Sequence, residues 1–256
     1  MGMYLSGLLW GLMLLSTGRS LAQKSLSLTV AGQAHLTGGR FVGDQLVSAR
    51  INVVPTVYRD WLLGVVVDLT PRYAVQATFG QPNYGLSFRT QRDYRRSPEQ
   101  DANVATFQQQ AFEYAVVLRR HFFVARTPAR RWFADLGLDL IDISQLGGGG
   151  SFGFSGTDPS LTTGPGIEAN GVLDMRNPNR VGVRLGLGHE WALNHGNRHF
   201  FSLQAVGSVG LRDLQRHRMS AVVWERGRTV DPIYYRNQVA TRLSFVGLQA
   251  RYRFQL

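Results

Sequence analysis

Apolar and polar side chains alternate with a period of two through most of this chain. In the last segment Val246, Leu248, Ala250, Tyr252, Phe254 and Leu256 share one parity, while Gln249, Arg251, Arg253 and Gln255 share the other. Successive side chains of a strand point to opposite faces, so the segment predicts a strand with one greasy and one charged face. Seven further segments read the same way. Leu26, Leu28, Val30, Ala34 and Leu36 oppose Ser27, Thr29, Gln33 and His35. Val47, Ala49, Ile51, Val53 and Val57 oppose Ser48, Arg50, Asn52 and Thr56. Trp61, Leu63, Val65, Val67 and Leu69 keep their parity through Tyr73, Val75, Ala77 and Phe79. Phe112, Tyr114, Val116 and Leu118 oppose Glu113 and Arg119, and the even positions from Trp132 to Leu140 oppose Asp135, Gly137 and Asp139. The odd positions from Val181 to Trp191 oppose Arg184 and Glu190, and those from Phe201 to Leu211 oppose Ser202, Gln204 and Ser208.

Tyr58-Arg59-Asp60, Arg126 to Ala129 and Asn194 to Asn197 predict tight turns. Thr70-Pro71-Arg72 is turn-like, but parity runs across it unbroken, so one long strand bent at Pro71 is preferred to a hairpin, which stays open as the alternative. Gly80 to Phe107 predicts an exposed Arg-rich loop, with a short hairpin around Tyr84, Leu86 and Phe88 as an option. Ser144 to Asn179, with its run Gly147 to Gly150, predicts a long loop rather than a folded insert. Arg212 to Asn237 predicts another. Short turns then fall at the end that bears the termini and long segments at the other. The reading is all-β: an eight-stranded antiparallel up-and-down transmembrane β-barrel. A soluble barrel enclosing a small apolar ligand is the competing architecture, and it would pack Leu185, Leu203 and Tyr252 inside while exposing Arg184 and Arg251.

Leu5 to Leu15 is an apolar run too short to span a ~30 Å hydrocarbon core as a helix. With Ser20-Leu21-Ala22 after it, the run predicts a signal peptide over residues 1–22, cleaved before Gln23, and a barrel domain over 23–256. No Lys or Arg precedes the run, which leaves a short uncleaved anchor as the alternative. The absence of cysteine excludes a lipid-anchored lipoprotein and fits an exported protein without disulfides. The net charge of +11 comes almost entirely from arginine, Lys24 being the only lysine. Scattered over alternating strands, these arginines suit carboxylates in a polar lumen and lipid phosphates at the surface, and the pattern argues against nucleic acid.

Eight strands enclose only enough room for their own inward side chains. Arg50, Asp68, Arg72, Glu113, Arg119, Asp135, Asp139, Arg184, Glu190, Arg251 and Arg253 are expected to interdigitate there as paired charges, with Gly137, Gly182, Gly186 and Gly188 relieving the crowding. Trp61, Phe122, Trp132 and Trp191 fit interfacial girdles. The histidines His35, His121, His189, His195, His199 and His217 form no helical metal spacing, and no serine sits in a nucleophile elbow. His199 and Ser202 belong to opposite faces. No catalytic, cofactor-binding or metal-binding residue is assigned, and no cofactor is expected.

Three stretches resemble the small outer-membrane barrels of the Bacteroidetes type, the PorT-like group. They are Ile51 to Leu69, Val183 to Leu214 with its Leu-Gly-Leu-Gly-His-Glu-Trp, and the ending Gly-Leu-Gln-Ala-Arg-Tyr-Arg-Phe. The terminal residue is Leu256, the customary aromatic being displaced to Phe254. The resemblance implies fold and location in the outer membrane rather than an activity. The expected role is a non-enzymatic barrel with a plugged lumen and long outer loops, structural or surface-interacting, with a lipid-modifying enzyme as the alternative. Expected partners are outer-membrane lipids including lipopolysaccharide phosphates, reached by Arg89, Arg92, Arg95, Arg96, Arg212, Arg216 and Arg218, the barrel-assembly machinery during insertion, and an external protein or ligand at the loops. The barrel is expected to be a monomer.

Overall fold

The computed structural model describes residues 25–42, 51–90, 95–97, 100–101, 104–123, 130–143, 151–156, 167–175, 179–193, 198–213, 215–223 and 233–256. The leader over residues 1–22, the turn at Arg126 to Ala129, Arg50 and Arg92 lie outside the described residues. In chain order the strands are β1 (Ser25–Thr37), β2 (Arg40–Val42), β3 (Ile51–Val54), β4 (Thr56–Asp68), β5 (Tyr73–Gly80), β6 (Asn83–Thr90), β7 (Arg95–Ser97), β8 (Gln100–Asp101) and β9 (Val104–Gln110). They continue with β10 (Phe112–Phe123), β11 (Arg130–Asp142), β12 (Ser151–Gly156), β13 (Ile167–Met175), β14 (Asn179–Ala192), β15 (His199–Gly210), β16 (Gln215–Val223), β17 (Ile233–Thr241) and β18 (Phe245–Gln255).

Eight of these close an antiparallel barrel in the order β1-β18-β15-β14-β11-β10-β5-β4. The barrel predicted from alternation is therefore the observed one, and so is the separation of short and long connections. At the proximal end, where β1 begins and β18 finishes, the wall strands are joined by short connections. At the distal end every connection is long, and the chain there builds further sheets, β12-β13-β16-β17-β2 and β3-β6-β9.

The wall faces outward as its parity requires. Leu185, Leu203 and Tyr252 are 56%, 46% and 42% exposed, whereas Arg184 and Arg251 are 4% and 2% exposed. This is the inverse of the soluble alternative. Each half-exposed Leu or Val left in water would forgo roughly 1 kcal/mol, and the belt of such residues runs around the whole wall, so its solvent is hydrocarbon. Two aromatic clusters bound the belt. Proximally, Trp132, His189, Trp191 and Phe201 follow one another across β11, β14 and β15, with Trp132 and His189 ring centroids 4.9 Å apart and Trp191 and Phe201 5.9 Å apart. Distally, Phe79 packs against Phe112 and Tyr114 at 6.0 and 5.2 Å. From Tyr114 to Phe122 along β10 is about 26 Å, or some 20 Å of depth once the strand tilts, close to the height of a barrel's apolar band.

Four expectations are corrected. Tyr58-Arg59-Asp60 is not a turn but part of the first half of β4, with Tyr58 and Asp60 buried in the interior and Arg59 exposed outside. The expected second strand is instead split at Pro55, which has no donor for a ladder, into β3 of an outer sheet and the start of β4. The turn lies at Thr70-Pro71-Arg72, where Tyr73 N donates to the Thr70 carbonyl at 3.3 Å and to Thr70 Oγ1 at 3.0 Å. Parity crosses it unbroken because Val67 pairs with Val75, so odd residues face odd residues in the hairpin and the outward set continues as it would in one bent strand. Arg72 consequently sits exposed in the turn and not in the lumen.

The described parts of the long segments include strands. The expected hairpin around Tyr84 is part of the β3-β6-β9 sheet, and within the stretch from Ser144 to Asn179 the described residues Ser151–Gly156 and Ile167–Met175 form the paired strands β12 and β13, while Gly147 to Gly150 lie outside the described residues. A tie at the foot of the larger sheet holds β2 to the connection before β18: Asp213 accepts from Arg40 at 3.3 Å and from Arg242 at 3.1 Å. Leu243, beside Arg242, adopts a left-handed φ of 48° while burying its side chain. Such a conformation costs a non-glycine residue about 1 kcal/mol, which the buried side chain offsets.

A leucine-to-charge exchange on the lipid face tests the orientation of the wall. Leu185→Arg is expected to destabilise the barrel in bilayers by about 2–4 kcal/mol in urea unfolding, the cost of a cation near mid-depth. A second prediction concerns acid. Partial burial raises the Asp213 carboxyl, but the hydrogen bonds from Arg242 and Arg40 outweigh it and hold the group below its ordinary value of 3.8. The tie is therefore complete above that value and lost as pH falls through the lower folded-state one. Asp213→Asn should remove this part of the acid dependence of the urea midpoint, an effect of at most about 1 kcal/mol because the groups are solvated.

Candidate functional site, the charged lumen

Inward parities on the eight wall strands deliver charged side chains to a shared interior, and these sort into tiers. In the proximal tier Arg253 donates to Asp68 at 3.1 Å and to Glu190 at 3.3 Å, and Asp68 also accepts from Ser25 at 2.6 Å. Glu190 takes a further bond from Arg131 at 2.7 Å. Arg119 grips Asp135 with both arms, at 2.8 and 2.9 Å, and its third nitrogen lies 3.6 Å from Glu190. The guanidinium carbon of Arg119 stands 3.6 Å from the Phe133 ring centroid and that of Arg253 4.1 Å from Phe200. Flat cations thus lie on aromatic faces while their edges meet carboxylates.

The middle tier is made of amides. Gln204 bridges Arg119 at 3.3 Å to Gln249 at 2.5 Å, and Arg251 donates to Gln249 at 2.8 Å and across the lumen to Gln76. Among the described residues no carboxylate pairs with Arg251. In the distal tier Arg184 binds Glu113 and, at 3.0 Å, Gln33, while Arg180 binds Asp139 at 2.8 Å, Ser208 at 2.6 Å and the Arg242 carbonyl at 3.0 Å. Gly182 makes room for this pair, since a Cβ there would come within 2.6 Å of the Arg180 guanidinium carbon.

Above the charges sits an apolar cap. Tyr84, Ala111, Ile141, Ile143, Val206, Leu243 and Phe245 form one buried cluster, combining inward residues of β11, β15 and β18 with Tyr84 from β6. The Tyr84 hydroxyl donates to Glu113 at 2.8 Å. Burial, reinforced by the neighbouring Glu113 charge, raises that hydroxyl well above its ordinary value and keeps it a donor. β6 is fastened over the mouth by Asn83 N to Asp60 at 2.8 Å, Thr37 Oγ1 to the Gly85 carbonyl at 2.9 Å and Thr56 Oγ1 to Ser87 at 2.5 Å.

Of the expected interior residues, Asp68, Glu113, Arg119, Asp135, Asp139, Arg184, Glu190, Arg251 and Arg253 meet in this network. Arg72 does not. Three charged partners were missed: Asp60, assigned to a turn; Arg131, one residue before the segment where strand five was expected to start; and Arg180, one residue before that of strand six, although its parity matches Arg184. Among the histidines, His35 is buried with Nδ1 3.1 Å from Asp60, roofed by Tyr58, Tyr84 and Phe245. The His121 ring is buried with no hydrogen-bond partner among the described residues, and His189 is wedged between Trp132 and Trp191. His199 lies at the proximal rim against Tyr252, on the face opposite the inward Ser202. The His35–Asp60 pair has the make-up of a general base, but it lies sealed from solvent. No group of metal ligands occurs among the described residues.

The closed wall, apolar outside and charged within, decides the class. The architecture is that of an outer-membrane β-barrel. Solved structures resemble it loosely: OprG of Pseudomonas aeruginosa at 9% identity and TM-score 0.49, over 91% of this chain and 96% of that one. The outer-membrane protein AlkL follows at 13% and 0.37, over 94% of each chain, and the Escherichia coli outer-membrane protease OmpT at 8% and 0.34, over 93% of this chain and 98% of that one. No protein-family model matches the chain, and no curated protein does.

The Arg119–Asp135 pair can be tested by a double-mutant cycle. Asp135→Ala should cost about 3–5 kcal/mol in urea unfolding because it strands a buried guanidinium, whereas Arg119→Met combined with Asp135→Leu should cost far less.

Proposed function

We propose that the protein is a non-enzymatic integral outer-membrane barrel whose lumen is closed to solutes and whose distal sheets face outward as a structural or surface-interacting platform. The observation that carries this reading is the lumen filled tier by tier with bonded charged and amide side chains, from Asp68 and Arg253 through Gln204, Gln249 and Arg251 to Arg180 and Asp139, and closed above by the apolar cap. An ion would have to part charge-assisted hydrogen bonds in a low-dielectric interior at every tier. Kinship with the PorT-like barrels, resting on the three stretches quoted above, belongs to the same proposal. So do a monomeric state, contact with the assembly machinery during insertion, and lipopolysaccharide phosphates as distal partners. In support of the last, Arg89 and Arg212 are exposed beside the distal sheets. A lipid-modifying activity is not favoured, because the His35–Asp60 pair is covered by Tyr58, Tyr84 and Phe245.

Planar-bilayer recording of the full chain tests the closed lumen. No stepwise conductance is expected, while Tyr84→Ala, which removes the centre of the cap, should leak small ions. A steady pore in the unaltered protein would sink the reading. Altered acyl chains in the lipid mass spectrum of membranes that contain the protein would do the same for its non-enzymatic part.

A further inference from the structure

The lipid-facing wall carries a groove of about 680 Å³. It reaches from Tyr73 and Arg120 on β5 and β10 across β11, β14 and β15 to β18. Leu118, Leu136, Leu185 and Leu187 rise along it, Leu187 standing between Ala134 and Ala205 in register, whereas Ala134, Ala205 and Gly207 interrupt the rows of large side chains and form the low points of its floor. Four strand spacings separate β10 from β18, a span of about 19 Å. Running across strands tilted by about 40°, the groove descends about 12 Å along the membrane normal, most of the ~15 Å of one hydrocarbon leaflet, so a chain in it lies obliquely around the wall.

The floor is not dictated by wall packing. A Cβ on Gly207 would meet only the Phe245 carbonyl at an ordinary 3.5 Å, so the strand itself would accept a side chain there. Leaving it out keeps the groove open.

One end of the groove is charged. Arg120 points outward and is exposed, with Tyr73 and Ala134 as its cross-strand neighbours, and its guanidinium stands 5.3 Å from the ring of Phe122, the cross-strand partner of Trp132. No carboxylate pairs with it among the described residues. Asp135 also borders the groove, but it is turned inward and held by Arg119. A cation on the lipid face is disfavoured unless an anion meets it at the interface. An apolar trough with one basic end suits a molecule with one anionic end and a tail. A second copy of the barrel placed here would bury two such arginines without an acid to receive them.

We propose that this groove holds one glycerophospholipid of the proximal leaflet, with its phosphate on Arg120 beside the Tyr73 phenol and an acyl chain lying over Ala134, Ala205 and Gly207. The assignment rests on the reading of the chain as a membrane barrel. Bidentate guanidinium–phosphate bonding fixes the headgroup, and the missing side chains admit the tail.

Native mass spectrometry of the purified full chain, delipidated and then supplied with phosphatidylglycerol or with uncharged diacylglycerol, tests the proposal. A heat-dependent shift on a gel reports separately on whether the barrel has formed. The expected result is one retained phosphatidylglycerol per chain and little diacylglycerol. Arg120→Gln should lower retention about tenfold, the loss of a charge-assisted bond, and Gly207→Leu should abolish it. Equal retention of both lipids, unchanged retention in Arg120→Gln, or a dimer that excludes lipid would overturn the proposal. Should Gly207→Leu fail to fold, the surface exchange Arg120→Gln decides. A native chain without the heat-dependent shift would instead overturn the membrane-barrel reading.

Discussion

The buried contact between Arg119 and Asp135 is the interaction on which the rest of the barrel depends. A wall with hydrocarbon on its outside must put its polar side chains inside, and eight strands leave no space for bulk water to solvate them. Charges are tolerable in such an interior only when each is met by another, with its remaining hydrogen-bonding groups also engaged. Arg119 meets most of that condition: Nε and Nη2 bond Asp135 and Gln204, Nη1 faces the Glu190 carboxylate at 3.6 Å without a hydrogen bond, and the guanidinium lies on Phe133, while Glu190 is shared with Arg131 and Arg253. Inward residues from nearly every wall strand are thereby drawn into one network, and strand register becomes a matter of charge pairing as much as of backbone bonding.

The wall was largely legible in the alternation of residues, because a barrel between lipid and a charged interior enforces period two on both faces at once. The Arg184/Leu185 and Arg251/Tyr252 couples suffice to orient their strands. What alternation could not reveal was where strands stop. Parity survives a hairpin whose paired residues share parity, which is why Thr70-Pro71-Arg72 read as a bend, and a polar inward residue such as Asp60 looks like turn chemistry when its partner His35 is distant in the chain. Pro55 carried the missing signal, as a residue without a donor in the middle of an expected ladder.

The candidate site was legible in membership but not in pairing. Nine of the expected interior charges meet there, yet nothing in their spacing says that Arg180 belongs to Asp139 or Arg253 to both Asp68 and Glu190, since those contacts cross between strands far apart in sequence. The distal cap was harder still. Tyr84 falls in a segment rich in arginine and broken by Pro82 and Pro98, and its role appears only once β6 is seen to lie across the mouth.

The origin of Tyr84 has a consequence for how this protein can vary. The side chain that completes the interior is donated by an excursion between β5 and β10, not by the wall. That excursion therefore cannot be exchanged for another of equal length without taking from Glu113 its second donor beside Arg184 and opening the apolar residues around it. On β13, by contrast, Glu168 and Asn170 stand in the open, so exchanges at those two positions leave the closed interior untouched.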